Sequence, residues 1–162
     1  MIEKTLVLIK PDGIQRSLAG KIITRFEDAG LKIIGMKMEW VDEKFAEKHY
    51  FDIKKRYDKR IFDNLSQYLR EGPVIAMVLE GVNAVSTVRK ITGSTYPNEA
   101  QPGTIRGDFA HISKDYANKH KKKVGNLIHA SANPKEAKYE INLWFKKQEL
   151  HTYKTVHDVH VL

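Results

Sequence analysis

The chain has 162 residues, of which 41% are hydrophobic and 30% are charged, as is typical of a globular protein rather than a disordered or fibrous one. It contains no cysteine, which excludes a disulfide scaffold, a cysteine-ligated metal site and thiol catalysis. The length predicts one domain over residues 1–162. The apolar run at residues 6–9 is too short for a signal peptide or a membrane span, so we expect a cytoplasmic protein with no membrane partner.

The first half of the chain predicts two strands and three helices. Residues 5–10 contain this apolar run and precede a Pro-Asp-Gly turn, which predicts a buried strand over residues 5–10. Apolar residues at helical spacing follow and stop at Gly30, and an alternating pattern over residues 31–40 predicts a second strand. Asp42 is placed to cap a helix that runs toward Tyr50. A further helix carries Phe62, Leu65 and Leu69.

The second half begins with a strand at residues 74–79 and a helix after it. Residues 93–109 predict a long irregular loop, and a loop of this length inside a compact domain is usually functional. A short strand is expected near residue 128, and Asn133 is placed to cap the next helix. Residues 150–162 must pack or fray. This order predicts an α/β sandwich with helices covering about four strands, whose directions the order does not settle.

The net charge of +8 resides in two short segments. Residues 54–60 and residues 113–123 each carry five positive residues and one negative residue, or +4. Such segments are either patches that bind polyanions or solvated loops. A surface loop is the favoured interpretation for residues 113–123, whereas the two interpretations are nearly balanced for residues 54–60.

His129 lies between a buried strand and the helix that Asn133 caps. On its own, such a histidine is more often a satisfied core or surface residue than a functional one. Glu140 in that helix is placed to point back at the imidazole, and a carboxylate that accepts from one ring N–H leaves the lone pair of the other nitrogen free. A nucleophilic histidine needs this arrangement.

Cations surround the predicted loop. Lys10 ends the first strand, Arg89 precedes the loop, and Arg106 lies within it together with Thr95 as a hydroxyl donor. Plain surface charges are the commoner case, but this grouping also suits a polyphosphate. The sequence has no glycine-rich phosphate motif, so side chains would have to bind any phosphate.

The sequence resembles the nucleoside diphosphate kinases from end to end. The motifs that carry the resemblance lie at residues 9–13, 49–50, 72–74, 102–109, 126–129 and 143–145. The resemblance implies transfer of the γ-phosphate of a nucleoside triphosphate, typically ATP, to a nucleoside diphosphate. In the family the reaction is ping-pong, through a phosphohistidine, with Mg²⁺ carried by the nucleotide and not by a protein metal site.

The resemblance also implies roles for individual residues. His129 matches the nucleophile, Glu140 the glutamate that orients it, and Lys10 the lysine that reaches the transferred phosphate, with Tyr50 nearby. The phosphate clamp is matched by Arg89, Thr95 and Arg106. Asn126 matches the asparagine that meets the sugar hydroxyl, and Ser131 matches the serine beside the histidine. The implied fold is a ferredoxin-like βαββαβ core with an antiparallel four-stranded sheet. A homo-oligomer is expected, with a hexamer favoured over a tetramer or dimer.

Some positions depart from the family pattern. Ala130 replaces the usual glycine, which costs about 1–2 kcal/mol if that position needs a positive φ, and Ala132 replaces an aspartate. Residues 53–65 are longer than in compact family members, and Ile61 aligns with the aromatic that stacks on the base. Phe62 beside it and Tyr57 are further candidates. Residues 112–123 are an insert that we interpret as a surface excursion.

Two other functions compete with the enzyme. A nucleic-acid-binding module would explain the positive charge, although the chain has no recognised nucleic-acid motif. A catalytically silent family member, retained for its oligomer contacts, is the other alternative. The intact set of Lys10, Arg89, Arg106, His129 and Glu140 argues against the silent member.

Overall fold

The computed structural model describes residues 1–56 and 59–161, apart from the side chains of residues 54 and 56. Tyr57, one candidate for base stacking, therefore lies outside the described residues. The described strands are β1 Ile2–Ile9, β2 Lys32–Glu39, β3 Val74–Val82 and β4 Ile128–Ala130. The described α-helices are α1 Pro11–Gln15, α2 Ala19–Glu27, α3 Glu43–His49, α4 Phe51–Arg56, α5 Lys59–Arg70, α6 Ala84–Thr92, α7 Ile105–Phe109, α8 Lys114–Lys119, α9 Pro134–Trp144 and α10 Val156–His160.

The described strands form one four-stranded sheet in the order β2-β3-β1-β4. Every neighbouring pair is antiparallel, which confirms the antiparallel α/β fold that the family resemblance implied. The central strand β1 pairs with β3 along its whole length and with β4 near its end, where Leu8 lies opposite His129. This pairing places His129 beside the end of β1, next to Lys10.

Helices cover both faces of the sheet. Because side chains alternate along a strand, Leu6 and Leu8 of β1 enter one core cluster, whereas Val7 and Ile9 enter the other. Helices α3, α5 and α9 contribute to the first cluster, and α2 and α6 contribute to the second. Burying an aliphatic side chain of this size contributes about 1.5–3 kcal/mol. The two clusters therefore fix the carboxyl half of β1 from both faces of the sheet, and with it the pocket built at that end.

The predicted helix caps are confirmed. The side chain of Asp42 accepts a hydrogen bond from the backbone N–H of Phe45 at the start of α3, and that of Asn133 accepts from the N–H of Glu136 in α9. Two expectations need correction. Pro11 begins the short helix α1 rather than a turn, because proline suits the first helical position. The loop at residues 93–109 is not wholly irregular, because Thr104 caps α7 within it.

The tail packs along the edge of β2 rather than fraying. The N–H of His151 donates to the carbonyl oxygen of Ile34 at 2.8 Å, and the hydroxyl of Tyr153 donates to that of Ile33 at 2.6 Å. Farther along, Asp158 forms an ion pair with Lys32. None of the described helices has both the length and the apolar character needed to cross a bilayer.

Candidate active site

A pocket of about 380 Å³ opens where the carboxyl end of β1 meets β4, α3 and α6. The structure brings most of the sequence-predicted site residues to its wall. Those that line it are Lys10, Tyr50, Arg89, Thr95, Arg106, Asn126, His129 and Glu140. A region of positive charge therefore faces a histidine and its carboxylate.

His129 and Glu140 are in direct contact. Nε2 of His129 lies 2.7 Å from Oε1 of Glu140, and the carboxylate is almost wholly buried whereas the imidazole is partly exposed. Because β4 and α9 are both fixed by the core, this contact orients the ring. A proton on Nε2 that is donated to the carboxylate leaves the lone pair of Nδ1 available. The geometry therefore supplies the arrangement that a nucleophilic histidine needs.

Ser131 is placed behind the carboxylate rather than in the pocket. Its buried hydroxyl donates to Oε2 of Glu140 at 2.5 Å and accepts from the N–H of Leu6 at 3.3 Å. Burial by itself raises the pKa of Glu140, but the charge and hydrogen bond of His129 and the hydrogen bond from Ser131 outweigh it, so the pKa is lowered. The carboxylate is thus ionised beside the histidine at neutral pH.

His49 is a second histidine at the site, which the sequence assigned to a family motif but not to a role. Its Nδ1 lies 3.7 Å from Oε1 of Glu140 and accepts a hydrogen bond from Nε1 of Trp144 at 3.2 Å. Its ring meets that of His129 edge to face, with centroids 4.7 Å apart. Burial first, then the charge of His129, lower the pKa of His49 to about 3, although Glu140 acts the other way. His49 is therefore a neutral packing partner for the ring of His129.

Lys10 is buried at the end of β1. Its Nζ donates to Oδ1 of Asn126 at 2.7 Å. Burial, and then the charges of Arg106 and Lys123, lower the pKa of Lys10 to about 7 against the opposing charge of Asp12. An ammonium that is this poorly solvated gains strongly from an incoming anion.

Arg106 has a larger structural role than the sequence predicted. Its guanidinium donates to the carbonyl oxygens of Asn126 and Ile128 around β4 and to those of Gly93 and Ser94 in the loop. Arg106 therefore joins the loop to β4, and its side chain also lines the pocket. Burial, and then the charge of Arg89, lower the pKa of Arg106 to about 10, so it remains a cation.

Asn126 also makes protein contacts beyond the sugar contact that the family implies. While Oδ1 holds Lys10, its Nδ2 donates to the carbonyl oxygen of Thr95 at 2.9 Å. Arg89 and Thr95 are exposed at the pocket wall, and Tyr50 is buried there. Burial, followed by the charge of Glu140, raises the pKa of Tyr50, so its phenol is neutral.

The two described candidates for base stacking differ in exposure. Phe62 is only 5% exposed and belongs to the core cluster on the α9 side of the sheet, so its ring is not available to a base. Ile61 is 40% exposed. Phe51, Ile53 and Leu65 are among the apolar side chains that do line the pocket. The spacing of apolar residues in the sequence alone did not show which residues of α5 face the core and which face the pocket.

Ala130 fits its position without strain. It belongs to β4, pairs with Val7, and is not among the described residues with positive φ. The glycine of the family pattern is therefore not required here for its conformation. The strained neighbour is Leu127, with a φ of 67°. Its N–H donates to Asp12 and its carbonyl oxygen accepts from the N–H of Lys10, which over-determine the unusual backbone.

The side chains at the site do not make a protein Mg²⁺ site. Within the described part of the chain, the group of histidine and acidic residues close enough to share a metal ion consists of His49, His129 and Glu140. Two imidazoles and one carboxylate do not suit Mg²⁺, which prefers oxygen ligands. In addition, Oε1 of Glu140 already binds His129.

The chain matches one protein family over most of its length. A sequence profile described as nucleoside diphosphate kinase matches residues 3–150. The nucleoside diphosphate kinase of Thermococcus kodakarensis is 48% identical over 152 residues, which cover 94% of this chain and 82% of that protein. That of Borreliella burgdorferi is 44% identical over 156 residues, with 95% and 93% covered.

Solved structures agree with the sequence matches. A structure described as a transition state mimic of the Borrelia burgdorferi nucleoside diphosphate kinase, with bound vanadate and ADP, superposes with a TM-score of 0.93 at 43% identity, covering 97% of this chain and 95% of that one. A halophilic nucleoside diphosphate kinase from Halobacterium salinarum in complex with CDP gives 0.84 at 40% identity, covering 98% and 97%.

Proposed function

The chain belongs to the nucleoside diphosphate kinase family and is a phosphotransferase of that kind, and we propose that it acts by phosphorylating His129 and then returning the phosphoryl group to a second nucleotide. The observation that carries this mechanism is the 2.7 Å contact between His129 and Glu140 at a pocket that Lys10, Arg89 and Arg106 line.

In the first half-reaction, the lone pair of Nδ1 on His129 attacks the γ-phosphorus of a nucleoside triphosphate. The N–P bond forms as the bond from phosphorus to the β,γ-bridging oxygen breaks, and the nucleoside diphosphate leaves with that electron pair. The ring becomes positively charged in this step. Glu140 balances the charge through its bond to Nε2–H, and Ser131 holds the carboxylate in place.

In the second half-reaction, a terminal phosphate oxygen of another nucleoside diphosphate attacks the same phosphorus. The N–P bond breaks, its electron pair returns to Nδ1, and a new nucleoside triphosphate leaves. One pocket serves both nucleotides in turn, because the phosphoryl group waits on the protein between them. Nucleoside triphosphates and diphosphates are therefore the proposed substrates, as the ADP and CDP bound to relatives support.

The cations of the pocket are the candidates for positioning the phosphates and neutralising their charge. Phosphoryl transfer depends on in-line positioning and charge neutralisation. Lys10 is the candidate for the transferred phosphate, since it lies deepest, next to Asn126 and the strand of His129. Arg89 and Thr95 at the exposed wall are the candidates for the remaining phosphates.

Mg²⁺ is the proposed cofactor, carried by the nucleotide phosphates. The cationic pocket wall suits a substrate whose metal ion is already bound to phosphate oxygens. When bound there, the ion supplies charge neutralisation at the phosphate oxygens. Lys10 and Arg106 then act on the charge that the ion leaves uncompensated.

A homo-oligomer, with a hexamer favoured, is the proposed assembly. Met36 and Met38 in β2 and Trp40 directly after it are 54%, 57% and 69% exposed, and together they present an apolar strip of the kind found at subunit interfaces. Light scattering on the purified protein tests this directly. A hexamer mass is expected, and a monomer at micromolar concentration contradicts the proposal.

Labelling with γ-³²P-ATP and Mg²⁺ tests the mechanism. We expect the isolated protein to carry an acid-labile, base-stable label that GDP removes as GTP. His129→Ala should abolish the label, whereas His120→Ala, which alters an exposed histidine in the insert, should retain it. An unlabelled native protein, or a labelled His129→Ala variant, contradicts the proposal.

Nucleic-acid binding is a second candidate, and one observation favours it. A single cleft of about 770 Å³ is lined by Arg60 from the first basic segment and by Lys121, Lys122 and Lys123 from the second. Salt-dependent binding of a single-stranded DNA probe tests it. A steep dependence that weakens in Lys121→Gln/Lys122→Gln supports this function, and a lack of binding at low salt removes it.

A further inference from the structure

Lys123, at the end of the 112–123 insert, lies against the ring of Tyr68, which also contacts Lys10 of the catalytic pocket. Its Nζ lies 4.5 Å from the centroid of the Tyr68 ring. Nζ of Lys10 lies 4.6 Å from the centroid of the same ring. Two cations therefore share one aromatic side chain, and each gains from the negative charge on the face of a ring.

Tyr68 is fixed firmly enough to transmit this contact. It is buried in α5, and its hydroxyl oxygen accepts a hydrogen bond from the N–H of Asn126 at 3.2 Å. The side chain of Asn126 in turn holds Lys10. Burial, and then the neighbouring Asp12 carboxylate, raises the pKa of Tyr68, so the ring is neutral at all working pH values.

Lys123 is anchored from the other side. It forms an ion pair with Glu71, which directly follows the end of α5. Both side chains are only about one-third exposed, so solvent screens the pair less than it would at an open surface. The insert therefore presents one fixed positive charge to the ring, rather than a mobile lysine.

We propose that Lys123 is a positioning residue for Lys10, and that it acts across the Tyr68 ring to couple the insert to the catalytic pocket. Two like charges near one buried ring disfavour each other, and Lys123 also competes for the ring that supports the Lys10 ammonium. Glu71 opposes this effect, because it partly neutralises Lys123. The inference rests on the proposed role of Lys10 in holding the transferred phosphate.

The charged surroundings of Lys10 agree with the proposal. The groups that face it from the packed elements are Asp12 in α1, His49 in α3, Tyr68 in α5, Arg106 in α7 and Lys123 in the insert. After burial and Arg106, Lys123 is the remaining group that lowers the pKa of Lys10. Near neutral pH the free enzyme therefore shares its population between the amine and the ammonium of Lys10.

The pH profile of kcat/KM tests the coupling, because it reports groups of the free enzyme. Lys10 must be protonated to bind phosphate, so kcat/KM falls as pH rises through the pKa of Lys10. Removing a like charge in Lys123→Met raises that pKa, and the falling limb should move up by roughly half a pH unit. Lys122→Met, which removes the same charge from an exposed neighbour, should leave the limb in place.

Glu71→Gln and Lys123→Arg separate electrostatics from structure. Loss of the Glu71 charge should move the limb to lower pH, opposite to Lys123→Met, whereas Lys123→Arg should retain the native profile. A structural role for Lys123 predicts that Lys123→Met and Glu71→Gln change the profile in the same direction, and this result overturns the proposal. An unshifted limb in Lys123→Met overturns it as well.

NMR titration of the protein labelled with ¹³C at lysine Cε gives the same answer without turnover. The Lys10 signal is assigned by its loss in Lys10→Arg. We expect its titration midpoint to rise in Lys123→Met and to stay unchanged in Lys122→Met, and equal midpoints in all three proteins contradict the coupling. Because no substrate is present, a failure of the phosphohistidine mechanism does not obscure this result.

Discussion

The hydroxyl oxygen of Ser131 lies 2.5 Å from Oε2 of Glu140, and both side chains are buried. The second carboxylate oxygen, Oε1, faces His129. One carboxylate therefore joins the backbone of β1, through Ser131 and Leu6, to the imidazole that we propose as the nucleophile. The orientation of that imidazole depends on a buried chain of hydrogen bonds rather than on the pocket surface.

Ser131→Ala should weaken both the fold and the active site. The substitution leaves the N–H of Leu6 and Oε2 of Glu140 without their shared partner, which costs about 1–3 kcal/mol of unfolding free energy. The rate of phosphohistidine formation should fall roughly tenfold, because the carboxylate loses one of the bonds that orient it. Urea unfolding and single-turnover labelling measure the two effects. Unchanged stability together with unchanged labelling contradicts the chain of hydrogen bonds.

Glu140→Gln should slow phosphorylation more than Ser131→Ala does. The amide retains the shape of the side chain but has no charge to balance the ring, and a charge-assisted hydrogen bond is worth about 1.5–3 kcal/mol. We expect the labelling rate to fall roughly 10- to 100-fold. Glu43→Gln, at the exposed start of α3, is the matched control. Equal labelling rates in Glu140→Gln and Glu43→Gln contradict the role of Glu140.

His49 should make the fold sensitive to mild acid. Its pKa is about 3 in the folded chain and 6.5 when unperturbed, so the unfolded state binds a proton that the folded state does not over the interval between these values. Stability is therefore complete above pH 6.5 and falls by about 1.4 kcal/mol per pH unit below it. His49→Gln, which still accepts from Trp144, should lose this part of the slope. Identical pH dependence of urea unfolding in the two proteins contradicts the assignment.

Arg106→Lys and Arg89→Lys should separate a structural cation from a substrate cation. Both variants retain the charge, but Arg106→Lys loses carbonyl contacts to β4 and to the loop, at an expected cost of about 2–4 kcal/mol of unfolding free energy. Arg89 is exposed, so its replacement should change stability by less than about 0.5 kcal/mol while raising the KM for nucleotide. Equal destabilisation by the two replacements contradicts this division.

Local sequence signals predicted the elements well, because they act within one element. The caps at Asp42 and Asn133 and the apolar run of β1 are confirmed for that reason. The order of the strands depends on pairings between distant segments, and only the family resemblance predicted an antiparallel sheet. The helix α7 was missed because Thr104 caps it inside a segment rich in glycine and proline.

Apart from the contact between Glu140 and His129, the candidate site was predicted as a set of residues rather than as a set of contacts. The bond between Lys10 and Asn126 joins residues 116 positions apart, which no local pattern encodes. The carbonyl contacts of Arg106 were hidden for the same reason. Phe62 was proposed for the base because it lies beside Ile61 in the sequence. That alignment does not show which side of α5 faces the core, and Phe62 belongs to the core cluster.

The position of the phosphoryl group on the imidazole tests the central claim most directly. NMR of the phosphorylated protein, labelled with ¹⁵N in histidine, reports which ring nitrogen is bonded to phosphorus. Because Nε2 of His129 is held at 2.7 Å by Glu140, we predict a phosphoryl group on Nδ1 of His129. A phosphoryl group on Nε2 of His129, or on another residue, would contradict the mechanism.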